Sequence, residues 1–321
     1  MKLRLSCGLI LIGLAALGLW QLKTAVYAPG PLEEAITVIV AKGDNSYTVA
    51  RKLKESGVIG NVLLFKLFAR FYQVDKKLQA GEYAFTSGES LAETIKKIAS
   101  GEVVYRKITL PEGLTKREML ALIAADDMLS GEITVDVTEG EMLPETYTYT
   151  LGMSKDSIIL RAKEEMRKTL NEAWANRDID VPLQNKQQLL VLASIVEKET
   201  GLTDERGLVA SVFANRLKKE MKLQTDPTVI YALTMGEKDL GRLLSKKDLS
   251  YDSPFNTYVY YGLPPTPICS PGKAAIEAAA NPQNSEYLYF VATGNGGHNF
   301  SRSLSEHNNN VTAYRKLQKN K

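Results

Sequence analysis

Leu189-Leu190-Val191-Leu192-Ala193-Ser194-Ile195-Val196-Glu197-Lys198-Glu199-Thr200 is the stretch on which the reading of this chain turns. At about 100° per residue the run makes a core helix. Glu199 falls in the sector of Leu192, Ile195 and Val196, whereas Glu197 falls beside Leu190, Ala193 and Ser194. A carboxyl set in an apolar wall loses hydration, which disfavours its charged form and raises its pKa toward the range of a general acid. Cleavage of a glycosidic bond calls for such an acid. The same residues also fit two glutamates that simply end the polar side of a core helix.

Downstream come Glu205-Arg206, a second amphipathic helix from about Gly207 to Lys219, and then Leu223-Gln224-Thr225-Asp226-Pro227-Thr228-Val229-Ile230-Tyr231. The blocks SIVEKET, ASVFANRL and LQTDPTVIY, in that order, resemble the endolytic murein transglycosylases, the membrane-anchored lytic transglycosylases with a YceG-like domain. The resemblance is strong from Gln187 to Asn308 and looser before Ser130. It implies that Glu199, the second glutamate of EKET, is catalytic. In that reaction one glutamate protonates the oxygen between N-acetylmuramic acid and N-acetylglucosamine, then takes the proton of the muramic C6 hydroxyl. The hydroxyl closes on the anomeric carbon and leaves a 1,6-anhydro end without water. The implied role is to cut nascent strands internally and so limit their elongation.

Composition agrees with an ordinary globular protein: 321 residues, 44% hydrophobic and 24% charged. With 40 basic and 37 acidic side chains the net charge is only +3, which makes no case for nucleic acid. Lys2 and Arg4 precede 18 uncharged residues, Leu5 to Leu22. As a helix these would span about 27 Å, close to a bilayer's hydrocarbon thickness. The only small-residue cleavage site, Val26-Tyr27-Ala28, is followed by Pro29, so an uncleaved anchor is expected rather than a signal peptide. The charges place the N-terminus in the cytoplasm. Cys7 and Cys269 form no disulfide framework, and Cys269 reads as a small packed residue.

The expected fold class is α+β, with a cytoplasmic stub (1–4), a transmembrane anchor (5–26), a small α+β module (31–130) and a larger α+β catalytic domain (131–321). In the module a strand, a glycine turn and a capped helix recur three times, with Ser46, Ser90 and Thr115 as N-caps. The repetition suggests a shared sheet. The resemblance implies that the module is LysM-like and holds glycan; a plain spacer is the other reading.

Leu143-Pro144-Glu145-Thr146-Tyr147 matches a family motif that usually reads Pro-Asp-Thr-Tyr, with Glu145 one methylene longer than the Asp. Asp226, before Pro227, suits a helix N-cap. The alternative is that Gln224, Thr225 and Asp226 line a sugar cleft beside Glu199. Tyrosines and asparagines suit such a cleft, and the family match extends to Asn256-Thr257-Tyr258 and to Gly262-Leu263-Pro264-Pro265-Thr266-Pro267-Ile268. Tyr287 to Ala292 reads as a buried strand, followed by the Gly294-Asn295-Gly296-Gly297-His298 loop. His298 and His307 are the only histidines and lack the spacing of a zinc motif, so no metal is expected.

The resemblance thus implies Glu145, Gln224, Thr225, Asp226, Asn256, Tyr258, His298 and His307 as substrate-binding residues, and no cofactor. Its implied setting is the cell inner membrane, with the catalytic domain in the periplasm. Peptidoglycan strands are the implied substrate, and peptidoglycan synthases such as penicillin-binding proteins the implied partners. Two rival readings are a peptidoglycan hydrolase using Asp226 or Glu145 as a second carboxylate, and a non-catalytic wall-binding protein.

Overall fold

A computed structural model describes residues 2–294 and 296–319, and among them the side chains other than those of residues 2–12, 75 and 319. The chain is α+β and forms two compact units, Met1–Arg106 with Thr148–Met153, and Lys107–Tyr147 with Ser154–Lys321.

The first unit runs α1 (Lys2–Tyr27), β1 (Ile36–Val40), α2 (Ser46–Glu55), α3 (Val62–Phe71), α4 (Val74–Lys77), β2 (Gly81–Phe85) and α5 (Leu91–Ser100). β1 and β2 pair antiparallel, with Val38 opposite Tyr83 and Val40 opposite Gly81. Side chains alternate across a strand, so Val38 and Val40 turn inward to join Leu53, Phe65, Tyr83, Phe85, Ile95 and Ile98 in the core. Ser90 caps α5 through a capping box with Glu93. The expected cap Ser46 is instead the first residue of α2. Asn45 takes the cap position because its Oδ1 accepts the Thr48 amide at 2.9 Å.

Two paired strands, β3 (Arg106–Thr109) and β4 (Thr146–Tyr149), lie at the division. The second unit continues with α6 (Lys116–Ala124), α7 (Lys155–Ala175), α8 (Lys186–Glu199), α9 (Thr203–Lys218), α10 (Asp226–Thr234), α11 (Lys273–Ala280), β5 (Tyr289–Ala292), β6 (His298–Ser301) and α12 (Leu304–Lys319). Its core gathers around α8, where Leu189, Leu192, Ala193, Ile195 and Val196 meet Val209 and Phe213 of α9 and Ala275, Ile276 and Ala279 of α11. Gly140, at φ 77°, shows why that position admits no side chain. A Cβ there would lie 2.8 Å from the ring of Pro267, in the proline-rich loop before α11.

Three expectations need correction. The three repeats share no sheet: β1 pairs with β2, and β3 with β4. The units divide at Arg106 and Lys107 rather than near Ser130. The reason is that the third repeat turns to later sequence, where the Leu110 amide donates to the Glu145 carbonyl at 3.0 Å and the Thr109 and Thr146 hydroxyls share a 2.9 Å hydrogen bond. Finally, Tyr287 to Ala292 is not a buried strand. β5 covers Tyr289–Ala292, is half-buried, and forms a hairpin with β6.

The expected anchor, residues 5–26, is helical within α1. Its leading side chains, that of Cys7 included, lie outside the described residues. Among the described residues no helix is long and apolar enough to cross a membrane. Cys269 is fully buried, as expected of a packed residue.

Phe65 is fully enclosed in the core of the first unit. Phe65→Ala is expected to destabilise the protein by about 3–5 kcal/mol, measured by denaturant unfolding followed by circular dichroism.

Candidate active site

Glu199 is the last residue of α8, and Thr200 leaves the helix in an extended conformation. In the two turns of α8 before Glu199, Leu192, Ile195 and Val196 are all fully buried. The Thr225 hydroxyl donates to Glu199 Oε1. Burial is the dominant influence and pushes the carboxyl above the ordinary glutamate range. The neighbouring Asp226 charge adds to this, while the Thr225 hydrogen bond and the charges of His298 and Arg216 oppose it.

Thr225 is held in turn. It is buried, and its amide donates to Thr257 Oγ1 at 3.1 Å. Thr225 rather than Asp226 is the cap residue of α10, and Asp226 opens the helix next to Pro227. This frees the Asp226 carboxylate to accept the Tyr258 hydroxyl at 2.6 Å. Burial and that carboxylate push the Tyr258 phenol well above its usual pKa. Gln224 sits in the left-handed region at φ 49°, an uncommon conformation for a residue with a side chain, and its amide donates to the Thr257 carbonyl.

A cavity of about 600 Å³ opens on this group. Its walls include Glu199, Gln224, Asp226 and Tyr258, with Tyr289 and Phe290 from β5 and His307 and Val311 from α12. The His307 ring stacks on Tyr289 at 5.2 Å, and its Nδ1 is enclosed with no hydrogen-bond partner among the described residues. Burial first, and Arg216 second, lower its pKa. Such a wall offers flat apolar faces with a few polar tips, which suits a sugar chain.

Not every expected residue lies there. His298 is outside the cavity lining. Its Nδ1 and its amide both bind Glu205, at 2.7 and 2.8 Å, so it braces the β5–β6 hairpin against α9. Asn256 is fully buried. Its Nδ2 donates to the carbonyls of Leu249 and Tyr251, and its Oδ1 accepts the Tyr258 amide at 2.9 Å. It therefore shapes the loop that carries Tyr258. Glu145 is exposed and accepts the amide of its neighbour Thr146. Glu197, on the other side of α8, accepts the Gly272 amide at 2.9 Å and so ties the start of α11 to α8; burial raises its pKa as well.

Arg216 is the residue the sequence analysis passes over. It is buried on α9 and lines the cavity. Its Nε donates to the Leu288 carbonyl at 2.6 Å and its Nη1 to the Leu223 carbonyl at 2.7 Å, while the guanidinium lies 5.1 Å from the Tyr289 ring centre. It thereby clamps the segment before α10 to the strand β5. A signal existed: Arg216 continues the row Val209, Val212 and Phe213 at helical spacing, and a charge on an apolar face asks for a reason. Glu205 carried no such signal.

A carboxyl whose pKa is raised by burial, in the lining of a cavity with aromatic walls, suits general acid–base chemistry. Comparison with known proteins supplies the family. The sequence profile of the YceG-like family matches residues 38–313, and the chain belongs to that family. An endolytic murein transglycosylase of Bacillus subtilis (strain 168) is 32% identical over 304 residues, covering 85% of this chain and 83% of the relative. A second protein of that name, from Streptococcus pneumoniae serotype 2 (strain D39), is 28% identical over 327 residues. That match covers 87% of this chain but 58% of the pneumococcal protein, so the chain spans under two thirds of that relative. The crystal structure of a YceG-like protein from Listeria monocytogenes superposes with a TM-score of 0.53 at 30% identity, over 86% of this chain and 98% of that one.

The direction of the Glu199 shift makes two linked expectations. In carbon-13 NMR the Glu199 carboxyl should titrate above the ordinary value of about 4.3, and higher again in Thr225→Val, which removes the hydrogen bond that favours the charged form. Because the folded state holds this proton more tightly than the unfolded one, stability should fall as pH rises from about 4.3 to the raised native value. Glu199→Gln should therefore gain on the wild type at neutral pH and lose that gain below about pH 4, measured by denaturant unfolding at both pH values.

Proposed function

We propose that this chain is an endolytic peptidoglycan lytic transglycosylase, a lyase with Glu199 as its acid and base. The observation that carries the reading is the Glu199 carboxyl in the cavity lining, its pKa raised chiefly by burial, with Thr225 on one of its oxygens. The names of the relatives from Bacillus subtilis and Streptococcus pneumoniae support the substrate.

Thr225 donates to Oε1, so the acid proton belongs on Oε2. That proton passes to the oxygen joining N-acetylmuramic acid to N-acetylglucosamine, and the bond from that oxygen to the anomeric carbon breaks. Glu199, now a carboxylate, takes the proton of the muramic C6 hydroxyl as its oxygen bonds to the anomeric carbon. The proton lost in the first half is regained in the second, and no water is consumed. Asp226 sits where its charge is felt by Glu199 and offsets positive charge developing on the sugar ring. Gln224, Tyr258 and His307 contact the glycan from the cavity wall, while Asn256 and His298 support it through the loop and hairpin they brace.

The first unit, with a core of its own, acts as the LysM-like module that holds the strand at high effective concentration. The uncharged run Leu5 to Leu22 supports anchoring in the inner membrane, with the remainder in the periplasm beside the synthases that make the strand.

Digestion of purified peptidoglycan, with products read by mass spectrometry, tests this. Internal fragments with anhydromuramic ends are expected, and Glu199→Gln should cut at least about 100-fold more slowly. The rate should also fall as pH rises through the raised pKa of Glu199, because the acid form is the active one. Reducing ends in place of anhydro ends would turn the assignment to a hydrolase with Asp226 as the base.

A further inference from the structure

In the first unit α3 leaves an apolar face uncovered. On α3, Leu63, Leu67 and Phe71 are 75%, 52% and 84% exposed. Spaced four apart, they fall within about 80° of one another on the helix. The neighbouring sector, with Phe65, Phe68 and Ala69, packs into the core. α3 is therefore apolar on far more of its circumference than its own unit covers. Scattered exposed leucines need no explanation, but an aligned row ending in a phenylalanine does.

The surroundings of the row indicate what covers it. Its open border carries Lys66 and Arg70, and the stretch from Asn61 to Gln79 adds Lys76 and Lys77 against the single acid Asp75. At its Phe71 end an apolar groove of about 350 Å³ is lined by Phe68, Phe71 and Tyr72 together with Val26 and Tyr27 at the end of α1. The described part of α1 is itself exposed and apolar at Leu14, Leu17, Leu19 and Trp20. The apolar row thus runs on into a second uncovered apolar helix, with tyrosines at the junction and cations along the edge.

We infer that the α3 face of Leu63, Leu67 and Phe71 lies in the interfacial layer of an anionic lipid bilayer. Apolar side chains enter to the level of the acyl boundary, tyrosines sit at headgroup depth, and lysine and arginine meet the anionic headgroups. The contact is separate from any spanning role of the leading segment, because it fixes how the first unit lies against the membrane. It does not rest on the glycan chemistry proposed for Glu199.

Spin labels test it in the full chain reconstituted into vesicles of equal parts phosphatidylethanolamine and phosphatidylglycerol. Labels are introduced singly by Leu63→Cys, Leu67→Cys and, as a hydrated reference on the polar face of α5, Lys96→Cys, each with Cys7→Ser; Cys269 is buried and stays unlabelled. Labels at 63 and 67 should lose most of their collisions with a water-soluble nickel chelate while keeping those with oxygen, and the label at 96 should keep both. Labels at 63 and 67 as open to the chelate as the one at 96 would overturn the inference. So would spin–spin broadening at 67 that disappears on dilution with unlabelled protein, since the face would then belong to a second copy of the chain.

Discussion

The hydrogen bond from Thr225 to Glu199 is the contact on which the second unit's architecture converges. It joins the C-terminal end of α8 to the residue that caps α10, and it can form only if both are delivered to one point. α8 is fixed by its fully buried row from Leu189 to Val196. α10 is fixed by Thr257, whose carbonyl and hydroxyl receive the amides of Gln224 and Thr225 and whose hydroxyl also pairs with Thr228. A carboxyl in such a setting is costly to ionise, so the apolar wall that stabilises the core is also what tunes the acid.

Most of what was legible in the sequence rests on local rules. The sector argument sets Glu199 at the end of the row Leu192, Ile195 and Val196, and that row is fully buried in α8. α11 spans Lys273–Ala280 as read, because alanine-rich sequence after Pro271-Gly272 has few alternatives. The capping boxes at Ser90 and Thr115 need only four residues each. Around the cavity, Gln224, Asp226, Tyr258 and His307 come together with Glu199.

What escaped the sequence depends on distant partners. Asn256 and Tyr258 are two residues apart in one motif, yet one is buried as a loop brace and the other lines the cavity. The difference lies in which carbonyls the loop brings to Asn256, and no spacing rule reports that. The division of units was misplaced for a related reason: Thr148–Met153 belongs to the first unit although it follows the start of the second. Arg216 is the sharpest case, since its role is set by carbonyls at Leu223 and at Leu288, the latter 72 residues further along the chain.

That arginine also has a bearing on the order of events as the chain folds. The walls of the cavity come from α8, α9, the start of α10, β5 and α12, and contacts between such separated segments form late because each must first close a long loop. Until β5 arrives, the guanidinium of Arg216 lacks the Leu288 carbonyl and the cavity lacks Tyr289 and His307. A growing or partly folded chain therefore carries Glu199 without a cleft to present it. The cavity is complete only once the C-terminal segment has docked.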